Sequence, residues 1–109
     1  MIPLIEARRG ELERLCVLHR VVRLDLFGSA ATGAFRPGQS DLDFIARFEG
    51  TREPDYAERF CGFADALEAL FGTRVDLLTE RMIRNALFRE EVERTRLTVY
   101  KRTDEPTGP

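Results

Sequence analysis

The stretch LDLFGSAATGAFRPGQSDLDF, residues 24–44, narrows the possible folds more than any other part of the chain. An apolar run with strand character stops at Gly28-Ser29, a loop of small residues follows, and a second apolar run carries Asp41 and Asp43 one residue apart. Side chains alternate across a strand, so carboxylates at i and i+2 share a face while Leu42 and Phe44 point the opposite way. Like charges that close repel, and burying them is costly without a cation between them. Oxygen ligands of this kind select hard ions such as magnesium, commonly shared between carboxylates and a substrate's phosphates. Gly28-Ser29 can serve the phosphate end. Its backbone amides can close on an anion with no Cβ in the way, and the serine hydroxyl adds a donor.

Around this stretch the hydrophobic periodicity lays out an α/β order. Residues 3–19 predict one amphipathic helix, with Leu4, Ile5, Leu12, Leu15, Cys16 and Leu18 at spacings of three and four and a bend expected at Gly10. His19, the only histidine, reads as a helix-end residue meeting the C-terminal dipole rather than a base. Val21 to Phe27 is a strand, in which Asp25 reads as polar and partly exposed. A short helix is expected from Ser29, its N-terminal dipole at the phosphate turn. The second strand runs from Asp41 to Phe48.

Pro54 and Asp55 open a helix that Gly72 closes, with Tyr56, Phe60, Phe63, Ala64, Leu67, Leu70 and Phe71 as its core stripe. Thr73 to Thr79 is a third strand, with Asp76 and Leu78 on one face. From the strand alone, Asp76 is either a surface residue partnered by an arginine such as Arg74, or a third acid beside Asp41 and Asp43. A helix from Glu80 to about Arg94 follows, with Met82, Ile83, Ala86, Leu87 and Val92 as its buried side. Leu97 to Tyr100 is a short edge strand or an extended end, and residues 101–109 read as a flexible tail after a domain of residues 1–100. This order implies an α/β (α+β) domain, a small mixed sheet backed by helices on one side with the other face left for a substrate.

Composition limits the function classes. At 109 residues, 43% hydrophobic and 33% charged, the chain fits one modest core. A net charge of −2 argues against an electropositive surface that grips nucleic acid as a direct partner. Cys16 and Cys61 match no metal spacing and are expected as buried free thiols. No basic-then-apolar leader and no run long enough to cross a bilayer is present, so a cytoplasmic protein with no membrane partner is expected.

Gly28-Ser29, eleven intervening residues and Asp41-Leu42-Asp43 resemble the motif of the DNA polymerase β-like nucleotidyltransferases, and within them the minimal nucleotidyltransferases, over about Pro3 to Tyr100. Arg84-Asn85-Ala86-Leu87-Phe88-Arg89-Glu90-Glu91-Val92 and Tyr100 are similar to the C-terminal segment of the antitoxin members. One position departs: Thr32 stands where the typical loop has arginine. The resemblance implies that Asp41, Asp43 and Asp76 are both catalytic and metal-holding, around two magnesium ions. Asp76 would bind the second ion and help deprotonate the attacking hydroxyl, while Gly28 and Ser29 bind the phosphates of ATP.

It further implies an adenylyltransferase that moves AMP from ATP to a tyrosine of a HEPN-domain ribonuclease toxin, acting as its antitoxin. Two other readings are a non-catalytic module that neutralises its partner by contact, and a transferase acting on a small molecule or an RNA end. Homo- or hetero-oligomers are compatible with all three.

Overall fold

The computed structural model describes residues 2–103. Its elements are α1 (Pro3–Ala7), α2 (Arg9–Leu18), β1 (Val21–Phe27), α3 (Ser29–Thr32), β2 (Leu42–Phe48), α4 (Tyr56–Phe71), β3 (Val75–Leu78), a 3-10 turn (Glu80–Met82), α5 (Ala86–Thr95) and β4 (Leu97–Lys101). The strands form one sheet in the order β3-β2-β1-β4, with β2 and β3 parallel and the other pairs antiparallel. This is the small mixed sheet that the element order implies.

The alternation of each strand divides the residues between two faces. On the first, Leu24, Leu26, Leu42, Phe44 and Ala46 join Ile5, Leu12, Cys16, Phe63, Leu67 and Phe71 from the helices in the main core. Fully burying a side chain such as Phe44 or Phe63 contributes about 2–3 kcal/mol. The aromatic stripe of α4 is core, as expected, and Phe48 meets Tyr56, Phe60 and Phe63 at ring separations of 5.5 to 5.9 Å. Gly72 closes α4 in the left-handed region. On the opposite face, Phe27, Ile45, Ile83 and Val92 make a smaller cluster that seats α5 and leaves the end of that face at Asp43 and Asp76 open.

Several expectations are corrected. The first helix steps at Arg8 rather than bending at Gly10, and Arg9 is pulled toward Glu6 and the Val99 carbonyl of β4. The helix expected over residues 80–94 is two pieces. Ile83 is drawn into the second cluster, and Asn85 Oδ1 accepts from Phe88 N at 3.0 Å to start α5 afresh. That restart turns Met82 and Leu87 outward, 50% and 75% exposed, where a continuous helix would have buried them. Cys61 is also exposed, whereas burial pushes the Cys16 thiol up to about 12.

His19 caps α2, its Nδ1 donating to the Leu15 carbonyl at 2.9 Å with the ring against Phe63. β4 extends to Lys101, and residues 104–109 of the expected tail lie outside those described.

Candidate active site

Three strands meet at the end of the sheet where β1 finishes and β2 and β3 begin. Phe27 pairs with Asp43, and Asp43 pairs in turn with Asp76. Residues opposite one another across a ladder share a face, so both carboxylates stand on the open face beside Phe27. Burial, then the Asp76 charge and hydrogen bond, and finally Asp41, push the Asp43 carboxyl up to about 6. Asp76 is exposed to the hollow's mouth.

Gly28 makes this arrangement possible. Its φ is +72°, and a Cβ placed on it would lie 2.5 Å from Asp43 Oδ2. Any larger residue would therefore be strained and would push the carboxylate away. The Gly28 amide donates to Thr95 Oγ1 at 3.1 Å rather than pointing into open space, so its contribution is room for Asp43. Thr95 Oγ1 in turn donates to the Glu91 carbonyl at 2.9 Å, tying the glycine turn to the last turn of α5. Ser29 opens α3 directly beyond.

Asp41 stands just before β2, and its side chain is 3.6 Å from Arg74 Nε. Arg74 is thus the partner of Asp41, not of Asp76. Among the described residues, no group of three or more His, Cys, Asp or Glu side chains gathers closely enough to hold a metal ion. The structure brings Asp43, Asp76 and Gly28 together with Ser29 adjacent, and leaves Asp41 turned to an arginine at the rim. Two adjoining carboxylates, one of them protonated more easily than usual, and a glycine that leaves the oxygens uncovered are a donor set that suits a hard cation.

A hollow of about 390 Å³ opens over this pair, lined by Phe27, Gly28, Asp43, Asp76, Leu78, Phe88 and Glu91. Phe88, Glu91 and Thr95 are not evident from a helix begun at Glu80. Once α5 starts after Asn85, they fall at i, i+3 and i+7 on one stripe. Asn85 was the available signal, since asparagine is a preferred helix N-cap.

Further along the same face, Asp25 is fully buried rather than partly exposed. Arg96 Nε holds its Oδ2 at 2.8 Å and Arg23 Nε its Oδ1 at 3.2 Å. Arg96 also reaches Glu80 at 2.8 Å and Glu93 at 2.6 Å. Arg89 bonds to Glu80 at 3.1 Å and to the carbonyls of Glu80 and Ile83. Burial works against charge on Glu80, but hydrogen bonds from Arg96 and Arg89 outweigh it and hold its carboxyl below the usual range. Burial likewise opposes the Arg96 charge, and its bonds to Glu80 and Asp25 keep it more firmly protonated than usual. This network fastens the 3-10 turn and α5 to β1.

The family model described as a nucleotidyltransferase domain matches residues 9–99, and the chain belongs to that family. Its fold is the minimal-nucleotidyltransferase form of the polymerase β superfamily. A solved structure described as a "putative minimal nucleotidyltransferase" is 37% identical with a TM-score of 0.69, over 88% of this chain and 95% of that one. The "Putative protein adenylyltransferase MJ1379" of Methanocaldococcus jannaschii is 31% identical over 75 residues, 69% of this chain and 73% of its own. A toxin-antitoxin structure with AMP-PNP shares the fold at 18% identity and a TM-score of 0.65, over 87% of this chain and 74% of that one. Among the described residues, no helix is long and apolar enough to cross a membrane.

Proposed function

We propose that this chain transfers AMP from ATP to a protein hydroxyl, a tyrosine of a HEPN-domain ribonuclease, and so acts as the antitoxin of that partner. The observation that carries the reading is the Asp43–Asp76 pair held open by Gly28. The pair lies in a family of nucleotidyltransferases, and a relative 31% identical bears the name of a protein adenylyltransferase. Solved structures of the same fold include a tri-AMPylated Shewanella oneidensis HEPN toxin in complex with its MNT antitoxin, at 15% identity.

Asp41, Asp43 and Asp76 are the residues that would hold two magnesium ions, Asp41 leaving Arg74 to do so. When bound, magnesium would neutralise phosphate charge and favour loss of pyrophosphate. The chain's own residues do the rest. Ser29 binds the β- and γ-phosphates, and Gly28 keeps the approach clear. Asp76 accepts the proton of the attacking hydroxyl as its oxygen bonds to the α-phosphorus and the bond to the β-phosphate oxygen breaks. Placement and electrostatics suffice, so no histidine or cysteine nucleophile takes part.

Labelled ATP, magnesium and a HEPN-domain partner protein should yield a labelled partner. Asp43→Asn should reduce the label at least about a hundredfold. The pairing of Asp41 with Arg74 favours one competing reading, neutralisation by contact alone. Neutralisation that survives Asp41→Asn and Asp43→Asn together would establish it in place of catalysis.

A further inference from the structure

Phe88 is the one large apolar side chain of the hollow that is not packed away. It is 39% exposed, while Phe27 beneath it is 5% exposed. The two rings meet edge to face at 6.0 Å and 74°, which fixes the tilt of the exposed ring. The backbone under Phe88 is also held. Its amide is capped by Asn85, the next residue Arg89 is bonded to Glu80 and Ile83, and Thr95 ties the far end of α5 to Gly28. A stationary aromatic face therefore stands in the same hollow as Asp43 and Asp76.

The charges of that hollow are all of one sign. Asp43, Asp76 and Glu91 line it, and no lysine or arginine does. Glu91 pairs with Arg94, which does not line the hollow. An acceptor carrying phosphates of its own, such as an RNA end, would meet repulsion on this side. A neutral ring bearing a hydroxyl would not: its face can lie on Phe88 and Leu78 with its oxygen at the acid pair.

We infer that Phe88 is a positioning residue for the acceptor, seating the phenol ring of the target tyrosine while Glu91 disfavours anionic acceptors. This rests on the transfer reading above and adds the residues that choose the acceptor. Size favours acceptor over nucleobase. A phenol ring is bonded directly to the attacking oxygen, so with that oxygen at the acid pair the ring stays in the same hollow of about 390 Å³ that Phe88 lines. A base is separated from the α-phosphorus by a ribose and would extend beyond it.

The test uses the whole chain with magnesium and AMP-PNP, and N-acetyl-tyrosinamide or N-acetyl-serinamide as probe, read by amide chemical shifts. The tyrosine probe should shift Leu78, Phe88 and Glu91, the serine probe should not, and Phe88→Ala should abolish the effect. In the transfer assay, Phe88→Ala should raise the KM for a tyrosine peptide about tenfold with the affinity for AMP-PNP unchanged. Phe88→Leu, which keeps the contact with Phe27 but has no aromatic face, should fall between. Shifts confined to other residues, or a KM unchanged in Phe88→Ala, overturn the inference. Loss of AMP-PNP affinity in Phe88→Ala overturns it too, by giving the ring to the base. Tyrosine-probe shifts at Phe88 in a chain that transfers nothing keep Phe88 as a seat for a tyrosine ring and sink the transferase reading, and with it the ring's role as acceptor.

Discussion

Asp25 and Asp43 stand on the same face of adjacent strands, two residues apart in register, and the protein treats them in opposite ways. Asp25 is sealed from water with Arg96 and Arg23 on its two oxygens, and Arg96 extends the pairing to Glu80 and Glu93. Among the described residues, Asp43 makes no ion pair. Its neighbours are Asp76 and, at the rim, Asp41, which itself pairs with Arg74. One carboxylate cluster is satisfied and structural, while the other is left short of positive charge and open to the hollow. A protein gains no stability from the second arrangement, and the proposed cation site would account for its presence.

The contrast can be broken from either side, and the largest effect is expected at the satisfied cluster. Arg96→Met removes the main partner of a buried carboxylate and should cost about 3–5 kcal/mol in denaturant unfolding. A loss below about 1 kcal/mol would mean that Arg23 alone satisfies Asp25.

Gly28→Ala should come next. The backbone at φ +72° and ψ −149° is a region nearly confined to glycine and strains an alanine by about 1–3 kcal/mol. Its methyl group would also displace the Asp43 carboxylate, so AMP transfer should fall by more than the stability loss explains. Transfer retained at the wild-type rate would remove Gly28 from the site.

Smaller effects carry the sign of each cluster's titration. The folded protein binds a proton at Asp43 more tightly than the unfolded chain does, so stability falls as pH rises from the ordinary carboxylate range through about 6. Asp43→Asn should then be more stable than wild type at pH 8, by about 1–2 kcal/mol after allowance for solvent screening, and equal to it near pH 4. Glu80 works the other way. Its folded carboxyl titrates below the usual range, so its contribution is present at neutral pH and is lost on acidification. Glu80→Gln should cost less than about 1 kcal/mol at pH 7 and nothing in strong acid. Parallel pH profiles for the two variants would erase the distinction.

Much of the unsatisfied cluster was legible in the sequence because it rests on local rules. The i, i+2 spacing of Asp41 and Asp43 and the break at Gly28 need only strand alternation and the freedom of glycine. Asp76 joined them through its place in an apolar strand together with the family resemblance. The satisfied cluster was not legible. Asp25 reads as an ordinary polar strand residue until Arg96, far along the chain, is seen to cross β1. Nothing in a periodicity pattern announces that pairing. The same blind spot hid Phe88, Glu91 and Thr95, since apolar spacing over residues 80–94 fits a continuous helix. The extended backbone at Ile83 and the Asn85 cap break it. Asp41 shows the converse limit. Its spacing places it with Asp43, but its side chain goes to the nearest cation, Arg74.

The most direct test is the thermal stability of the wild type and Asp43→Asn with and without magnesium and ATP, at pH 5 and pH 8. The expected result is a rise in the wild-type Tm on adding both, larger at pH 8 where Asp43 is ionised, and no rise in the variant. A wild-type Tm that ignores magnesium and ATP at both pH values, or a variant that responds as the wild type does, would contradict the claim that this acid pair awaits a cation.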